Sequence, residues 1–381
     1  TYRESGFFPE WASPGHRGCM VGNNSASVLA DAFVKGIRTS DTGLLYQGLQ
    51  HGTKAVHPEV SSTGRIGHEQ YNRLGYVPCD AGIHESAART LEYAYNDWCI
   101  LQLAKKLGRP QEELDKWEAR SNNWKNVFDK SHNLMRGRNL DGSFQEPFSP
   151  YQWGGPFTEG NSWHYTWSVF HDVDGLKDAM GGREDFVYML DSVFVVPPIY
   201  DDSYYGFRIH EITEMQVAKM GNYAHGNQPA QHIIYLYDWV DEPWKTQAWV
   251  RETMNRLYTA QPDGYCGDED NGQTSAWYVF SALGFYPVCP GADQYALGTP
   301  LFDEAVIHLE NGNDITITAE NAGSGPYIQD MKVNGKTWSH NYVRFDDLMN
   351  GADIEITLGS EPNLKRGTAD EDKPYSYSTA K

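Results

Sequence analysis

The fold class is decided by the stretch 83–107, which reads IHESAARTLEYAYNDWCILQLAKKL. Its apolar residues recur mostly at helical spacing and share one broad face: Ala87, Leu91, Ala94, Tyr95, Trp98, Leu101 and Leu103. Gly108-Arg109-Pro110 follows and is typical of a helix end. A second helix is predicted over Gln111 to Leu134, so the two form a helical hairpin.

The same periodicity predicts helices on both sides of this hairpin, over residues 20–38, 161–170, 184–194, 228–239, 243–257 and 271–283. Long connections rich in Gly, Pro and aromatic residues separate them, and connections of this length are usually functional. A closed barrel of six helical hairpins requires twelve helices, and only about nine are predicted here. We therefore predict a mainly α fold, an (α/α)6 barrel that is incomplete at its N-terminus, with the missing helices preceding Thr1.

From about Pro290 the pattern changes to the alternation of β-strands. Four strands are predicted, over residues 305–309, 314–318, 329–333 and 353–358. The pairs Asn311-Gly312 and Asn334-Gly335 fit short hairpin turns. The expected organisation is a partial barrel over 1–290, a small antiparallel β unit over 291–360, and a polar, weakly ordered tail over 361–381.

Composition limits the classes of partner. The net charge is −20, which disfavours nucleic acid and anionic membranes because both would be repelled. No apolar run is long enough to predict a membrane-spanning helix. Five cysteines without CxxC spacing argue against a zinc knuckle and a disulfide scaffold. The 24 Tyr and 12 Trp suit core packing and also the stacking of sugar faces, so a neutral or cationic ligand is expected.

The segment Gly267-Asp268-Glu269-Asp270-Asn271-Gly272 places three carboxylates in a glycine-rich loop before a predicted helix. Hydrolysis of a glycosidic bond needs a carboxylic acid and a carboxylate, and Asp268 and Asp270 could face one cleft as the base side. Two alternatives exist. Asp270 could simply cap the helix, and this stays as credible as catalysis. A calcium loop of the EF-hand type does not fit, because its twelfth position is Val279.

Glu159 lies on a glycine turn at the start of an aromatic segment that contains Trp163, Tyr165 and Trp167. A glutamate beside indole rings would be partly desolvated, which favours its protonated form and suits a general acid. Trp163 is the candidate for sugar contact. The alternative is an ordinary first-turn glutamate that interacts with the helix dipole.

The segment His210-Glu211-Ile212-Thr213-Glu214 resembles the HExxH zinc motif but has a glutamate one residue too early in place of the second histidine. Carboxylate and amide oxygens suit calcium better, which makes Glu211, Glu214, Asn227 and Gln228 candidate ligands. The alternatives are an exposed hydrogen-bonded pair for His210 and Glu211, and helix capping for the turn at 225–229.

Taken together and in this order, these segments resemble glycoside hydrolase family 92, the calcium-dependent exo-acting α-mannosidases. The resemblance covers nearly the whole chain, and its motifs are Gly6-Phe7-Phe8-Pro9-Glu10-Trp11, residues 91–98, Glu159-Gly160-Asn161-Ser162-Trp163, His225-Gly226-Asn227-Gln228-Pro229 and residues 267–278. It implies an N-terminal β-sandwich followed by an (α/α)6 barrel. This chain would hold most of the barrel and the C-terminal strands, and would lack the sandwich, its expected partner.

The resemblance also implies residue roles. Glu159 matches the general acid, Asp270 the preferred general base, and Asp268 a second carboxylate on the base side. His210 and Glu211 match a pair that contacts the leaving sugar in members acting on α-1,2 linkages, so an α-1,2-mannosidase with a mannose-containing glycan substrate is expected. Calcium (Ca²⁺) would bind near Glu214, Asn227 and Gln228.

One departure weakens the expected calcium site: many members have glutamate where this chain has Gln228. Export to the periplasm, cell surface or medium is implied by the resemblance only. Two other functions remain open, an inverting (α/α)6 glycosidase acting on glucosides without a metal, and a carbohydrate-binding protein without catalysis.

Overall fold

The computed structural model describes residues 1–11, 15–37 and 41–380. Its helices are α1 (Tyr2–Ser5), α2 (Ser25–Val34), α3 (Thr42–Gly52), α4 (His68–Leu74), α5 (Ser86–Lys106), α6 (Gln111–Ser121), α7 (Ser162–Tyr165), α8 (Val173–Met180), α9 (Arg183–Val195), α10 (His210–Ala218), α11 (Gln228–Gln231), α12 (Pro243–Leu257), α13 (Gln273–Leu283) and α14 (Phe345–Met349). Short 3-10 helices cover Asn123–Val127, Ile233–Trp239 and Asp370–Asp372. No described helix is long and apolar enough to cross a membrane.

The strands are β1 (Phe128–Asp129), β2 (Leu134–Met135), β3 (Phe285–Tyr286), β4 (Gln294–Leu297), β5 (Glu304–His308), β6 (Asp314–Glu320), β7 (Tyr327–Val333), β8 (Lys336–Thr337), β9 (Tyr342–Arg344) and β10 (Ala352–Gly359). The chain forms two compact units. The first contains Thr1–His171, Pro197–Thr213 and Pro290–Ala292, and the second contains Asp172–Val196, Glu214–Cys289 and Asp293–Lys381. The end of the predicted helix at Arg38 and the last residue of the tail lie outside the described residues.

The helical hairpin of the first unit is confirmed in α5 and α6, but α6 is shorter than predicted. It ends at Ser121 rather than Leu134 and gives way to a 3-10 turn and the β1–β2 hairpin. Asn122 and Asn123 follow the helix, and asparagine side chains compete with the helical backbone for hydrogen bonds. The amide of Asn126 donates to the carbonyl of Gly75, which supports the turn from outside the helix.

Helix α5 carries a buried ionic network as well as its apolar face. The carboxylate of Asp97 accepts hydrogen bonds from Arg65 Nη1 at 2.7 Å, from Arg120 Nε at 2.8 Å and from the hydroxyl of Tyr71 at 3.2 Å. The side chains of Asp97 and Arg65 are completely buried, and that of Arg120 is 14% exposed. A charge this deep in the core is tolerated because both cationic partners reach it.

Three further predicted helices are shorter in the structure, and within its described residues the segment 20–38 forms only α2. The segment 161–170 forms only α7, and the segment 228–239 forms α11 followed by the 3-10 helix Ile233–Trp239. Every residue of that 3-10 helix is buried, so it has no polar face to set a helical period. The helices predicted over 184–194, 243–257 and 271–283 are present as α9, α12 and α13, with Pro243 in the first turn of α12.

The predicted β unit is present in the second unit, with one difference in strand direction. Its five-stranded sheet has the order β5-β6-β10-β7-β8, and all neighbours are antiparallel except β10 and β6, which are parallel. The expected hairpin turns connect β5 to β6 and β7 to β8, with Gly312 and Gly335 at positive φ. Strands β3, β4 and β9 form a smaller sheet that periodicity did not predict.

The C-terminal tail is packed, which contradicts the expectation of weak order. Arg366 Nη2 donates to the carbonyls of Trp338 and His340, each at 3.1 Å. The hydroxyl of Ser376 donates to Asp172 at 3.1 Å, and Tyr377 is only 4% exposed. The polar residues of the tail therefore form hydrogen bonds with other groups of the second unit.

Candidate active site

Glu159 lies on a turn of the first unit that its neighbours hold in an unusual backbone conformation. Its φ is 45°, in the left-handed region that a glutamate rarely adopts. The backbone N–H of Glu159 donates to the hydroxyl of Tyr205 at 3.0 Å, and the hydroxyl of Tyr165 donates to the carbonyl of Thr158 at 2.8 Å. The Glu159 residue is exposed, so the desolvated setting expected beside the indole rings is not found.

The residues that follow Glu159 are buried and capped. Asn161 is the N-cap of α7. Its side chain accepts the N–H of Trp163 at 2.9 Å, and its own N–H donates to His164 Nδ1 at 3.1 Å. Trp163 is 8% exposed and lies 6.5 Å from Tyr151 between ring centroids. The cap therefore fixes the turn that carries Glu159, and Trp163 packs mainly inside the first unit.

Tyr204 and Tyr205 come from the long connection 197–207, which pairs through backbone hydrogen bonds with the long connection 145–158. The N–H of Trp153 donates to the carbonyl of Asp201 at 2.9 Å. The hydroxyl of Tyr204 is 2.8 Å from His84 Nδ1. Burial, together with the charge of Glu159, raises the pKa of Tyr205 to about 12, so its hydroxyl keeps its proton at neutral pH.

His210 and Glu211 form the expected pair at the start of α10. His210 Nε2 lies 3.2 Å from Glu211 Oε1. The His210 side chain is 57% exposed, while that of Glu211 is 9% exposed. The pair thus presents an imidazole at the surface and anchors it through a buried carboxylate, which is compatible both with sugar contact and with a purely structural hydrogen bond.

In the second unit, Glu269 rather than Asp270 is the acidic side chain that bonds to residues at the start of α13. Glu269 Oε2 accepts the N–H of Gly272 at 2.9 Å, and Oε1 accepts the hydroxyl of Ser275 at 2.5 Å. These two hydrogen bonds lower the pKa of Glu269 and keep it ionised at the start of α13. Asp270 does not share these partners and bonds instead to Gln228.

Asp270 faces the turn at 225–228, where the side-chain amide of Gln228 donates a hydrogen bond to Asp270 Oδ2. The backbone reaches this position through three successive left-handed residues: Asp270 at φ 55°, Asn271 at φ 54° and Gly272 at φ 100°. Such a run costs conformational energy and persists only where the surroundings fix it. The geometry brings together two of the predicted site residues, Asp270 and Gln228.

Oxygen atoms converge where this turn approaches the loop that carries Asp268. A Cβ added to Gly226 would lie 2.6 Å from Glu214 Oε2 and 2.9 Å from the carbonyl oxygen of Cys266. A Cβ on Gly267 would lie 2.9 Å from the same carboxylate oxygen. Both glycines are therefore required by close approach, and they form a cradle beside Glu214 that no side chain fills.

The donors at this cradle are of the hard type that calcium prefers, namely a carboxylate and backbone carbonyls. Asn227 Oδ1 also lies in the turn, where it accepts the N–H of Gln228 at 3.0 Å and caps α11. No group of three or more His, Cys, Asp or Glu side chains in the described part of the chain could hold a metal ion. A calcium ion at this place would thus draw mainly on backbone and amide oxygens.

His225, next to this turn, sits in a buried aromatic cluster that the sequence did not reveal. Its Nδ1 lies 2.6 Å from the hydroxyl of Tyr223, and its Nε2 lies 2.8 Å from the hydroxyl of Tyr258. The ring packs edge to face on Trp277 with 4.2 Å between centroids. Burial lowers the pKa of His225 to about 3, so the imidazole is neutral and serves as a fixed support.

Three further residues beside the candidate site were missed from the sequence: Tyr205, Gln231 and Thr274. Thr274 donates to the carbonyl of Asp268 at 2.8 Å and is completely buried. Gln231 is 1% exposed. A glutamine and a threonine at helix ends are common, and no pattern in the sequence separates these two from ordinary polar positions.

Known proteins resemble this chain in sequence and in fold. The profile of the family described as "Glycosyl hydrolase family 92 catalytic domain" matches residues 1–360. A solved family GH92 inverting mannosidase from Bacteroides thetaiotaomicron is 51% identical, with a TM-score of 0.90 over 99% of this chain and 51% of that chain. A GH92 α-mannosidase from the same organism, solved with mannoimidazole, is 34% identical, with a TM-score of 0.88 over 98% of this chain and 48% of that chain.

A curated relative, an uncharacterized secreted glycosidase from Arthroderma benhamiae, is 27% identical over an alignment of 412 positions that covers 99% of this chain and 50% of the relative. The chain thus spans about half the length of the relatives that it matches. The structural matches confirm the predicted fold class, a mainly helical chain of the (α/α)6 barrel type with small β-sheets. Because the profile of the family matches residues 1–360, and a solved member is 51% identical in sequence, the chain belongs to glycosyl hydrolase family 92.

Proposed function

We propose that this chain supplies the catalytic residues of an inverting, exo-acting α-mannosidase that releases terminal mannose from α-mannosides. The names of the solved relatives, an inverting mannosidase and an α-mannosidase, support the reaction. The observation that carries the proposal is that Glu269 and Asp270, neighbours in the loop 268–270, have different hydrogen-bond partners. Glu269 bonds to Gly272 and Ser275 at the start of α13, whereas Asp270 accepts a hydrogen bond from Gln228.

In this reaction Glu159 is the general acid and gives its proton to the glycosidic oxygen of the leaving sugar. The hydrogen bond from its backbone to Tyr205 holds the carboxyl-bearing residue in its left-handed conformation. Asp270 is the general base. The Gln228 amide donates to Oδ2, which leaves Oδ1 to take the proton from the attacking water. Asp268 is a second carboxylate on the base side.

Calcium fits the donors beside the Gly226 and Gly267 cradle, with Glu214, the Cys266 carbonyl and the amides of Asn227 and Gln228 as candidate ligands. When bound, calcium would supply a Lewis-acid contact for sugar hydroxyls. The protein residues contribute by fixing these oxygens: α10 carries Glu214, and the cap of α11 fixes Asn227.

We further propose α-1,2-linked mannosides as the substrates, because His210 and Glu211 present an anchored, exposed imidazole. Trp163 is proposed as a wall of the sugar site. A β-sandwich carried elsewhere in the full-length protein is the proposed structural partner, and export is proposed because the curated relative is described as secreted.

The test uses Glu159→Gln and Asp270→Asn, with Asp263→Asn as a matched control because Asp263 is an exposed aspartate of the second unit. Each site variant should lose about 10²-fold or more in kcat on an α-1,2-linked mannobiose, since general acid–base groups contribute roughly that much. The control should match the wild type. Retention of more than about a tenth of the rate by Asp270→Asn would refute its role as base.

Three measurements separate this proposal from its alternatives. Proton NMR of the first product should show β-mannose, because inversion of an α-mannoside gives the β anomer. Removal of calcium with a chelator should lower the rate, and added calcium should restore it. A preference for α-glucosides, an absence of chelator sensitivity, or mannose binding without hydrolysis would favour the two other functions.

A further inference from the structure

We infer that Gln231 is a positioning residue that fixes the loop 268–274 against the turn 225–228 and thereby sets the contact between Gln228 and Asp270. This inference rests on the proposed function of Asp270 as general base. Gln231 is the last residue of α11 and is 1% exposed. Its side chain lies between the two segments that carry the candidate site residues of the second unit.

The side-chain amide of Gln231 bonds to both segments. Its Nε2 lies 3.4 Å from the carbonyl oxygen of His225 and 3.4 Å from the hydroxyl oxygen of Thr274. Its Oε1 accepts the amide N–H of Gln273 at 3.0 Å. The same Thr274 hydroxyl donates to the carbonyl of Asp268 at 2.8 Å. A continuous chain of hydrogen bonds therefore joins the turn to the loop.

The chemistry of the partners fixes the orientation of this amide. The His225 carbonyl can only accept a hydrogen bond, and the NH₂ group of Gln273 can only donate. A rotated amide would set oxygen against oxygen and NH₂ against NH₂. Only a side chain with both a donor and an acceptor at its end fits, which a hydrophobic residue of similar size does not provide.

The backbone at Gln231 is fixed as well. Its carbonyl accepts the indole N–H of Trp277 from α13 at 3.1 Å. Gln273, the first residue of α13, also donates to the hydroxyl of Tyr286 at 3.2 Å. The Gln231 side chain thus reaches the first turn of α13, directly after three left-handed residues that persist only where their surroundings fix them.

The consequence is that Gln231 affects turnover without touching the sugar. A displacement of about 1 Å in a catalytic group can cost on the order of 10²-fold in rate. We therefore expect Gln231→Met to lower kcat on the α-mannoside by about 10- to 100-fold, with KM changed less than about threefold. The matched control is Tyr235→Phe, which removes a buried hydrogen bond to Ser281 of 2.8 Å without touching either segment.

Gln231→Glu should give a pH dependence of kcat that a purely structural role would not produce. A carboxyl buried at this position has a raised pKa, and its protonated form can still donate to the His225 carbonyl. The ratio of variant to wild-type kcat should therefore rise as the pH is lowered. Thr274→Val should lower kcat too, and the double variant Gln231→Met/Thr274→Val should lose little more than the worse single variant.

Hydrogen exchange tests the inference independently of activity. Gln231→Met should speed amide exchange in both 225–231 and 268–274, and Tyr235→Phe should speed neither. An inactive wild type would refute the proposed function alone. Three results would overturn the role of Gln231. They are a wild-type kcat in Gln231→Met, a ratio of Gln231→Glu to wild-type kcat that does not change with pH, and faster amide exchange in only one of the two segments.

Discussion

Replacing Asp97 with asparagine should destabilise the protein far more than its single lost charge suggests. The Asp97 carboxylate lies between two guanidinium groups, at 2.7 Å from Arg65 Nη1 and 2.8 Å from Arg120 Nε, and its side chain is completely buried. An asparagine would turn an NH₂ group toward one of these donors. Two buried cations would then remain without their common counter-ion.

The size of the effect follows from that burial. Removing one partner of a buried ion pair typically costs about 3–5 kcal/mol, because the remaining charge stays desolvated. For a folding unit of about 150–250 residues this corresponds to roughly 6–20 °C in melting temperature. The matched control is Glu252→Gln, whose ion pair with Arg256 is exposed (side chains 49% and 37%). It should change the stability by less than about 1 kcal/mol.

Thermal and urea unfolding followed by tryptophan fluorescence would measure both variants. Trp117 and Trp124 of the first unit are completely buried and so report on the packing around α5 and α6. If Asp97→Asn shifted the midpoint no more than Glu252→Gln does, the two guanidinium groups would have to reach water in the folded protein. The assignment of a buried, mutually dependent network would then be wrong.

Two other predictions concern single positions. Burial raises the pKa of Glu92 from 4.5 to about 7. Between these two pH values the unfolded chain has lost the Glu92 proton while the folded chain still holds it, so the free energy of unfolding should fall as the pH rises from 4.5 to about 7. Melting curves of Glu92→Gln should lack this decline, and parallel pH profiles for variant and wild type would contradict it. Gly226→Ala should abolish calcium-dependent stabilisation and most turnover, because its Cβ would lie 2.6 Å from Glu214 Oε2. Gly312→Ala, which meets no atom within 4 Å in a hairpin turn, should lose only stability, and equal losses of turnover in both variants would refute the cradle.

Helix α5 could be predicted from the sequence because 21 residues of helical periodicity outweigh local preferences. The segment 228–239 could not, since its apolar run is buried on all sides and has no polar face to reveal the 3-10 geometry. Strand β4 was missed for a similar reason: three of its four residues are buried, so it does not alternate.

The candidate site shows the same limit at the level of single residues. Spacing located the carboxylates of the loop 268–270 but could not tell a helix cap from a catalytic group. Only the contacts show that Glu269 bonds to Gly272 and Ser275 at the start of α13 while Asp270 bonds to Gln228. Gln231 had no signal at all, because its proposed role depends on partners in the first turn of α13, about 40 residues further along the chain.

The packed tail has a consequence for how the protein folds during synthesis. Asp172 accepts hydrogen bonds from Ser376 and Ser378, and Asp174 accepts one from Thr379, so the beginning of the second unit is closed by residues made about 200 positions later. Such non-local contacts form slowly because a long loop must close first. We therefore expect the second unit to complete its packing only after residues 376–379 have left the ribosome.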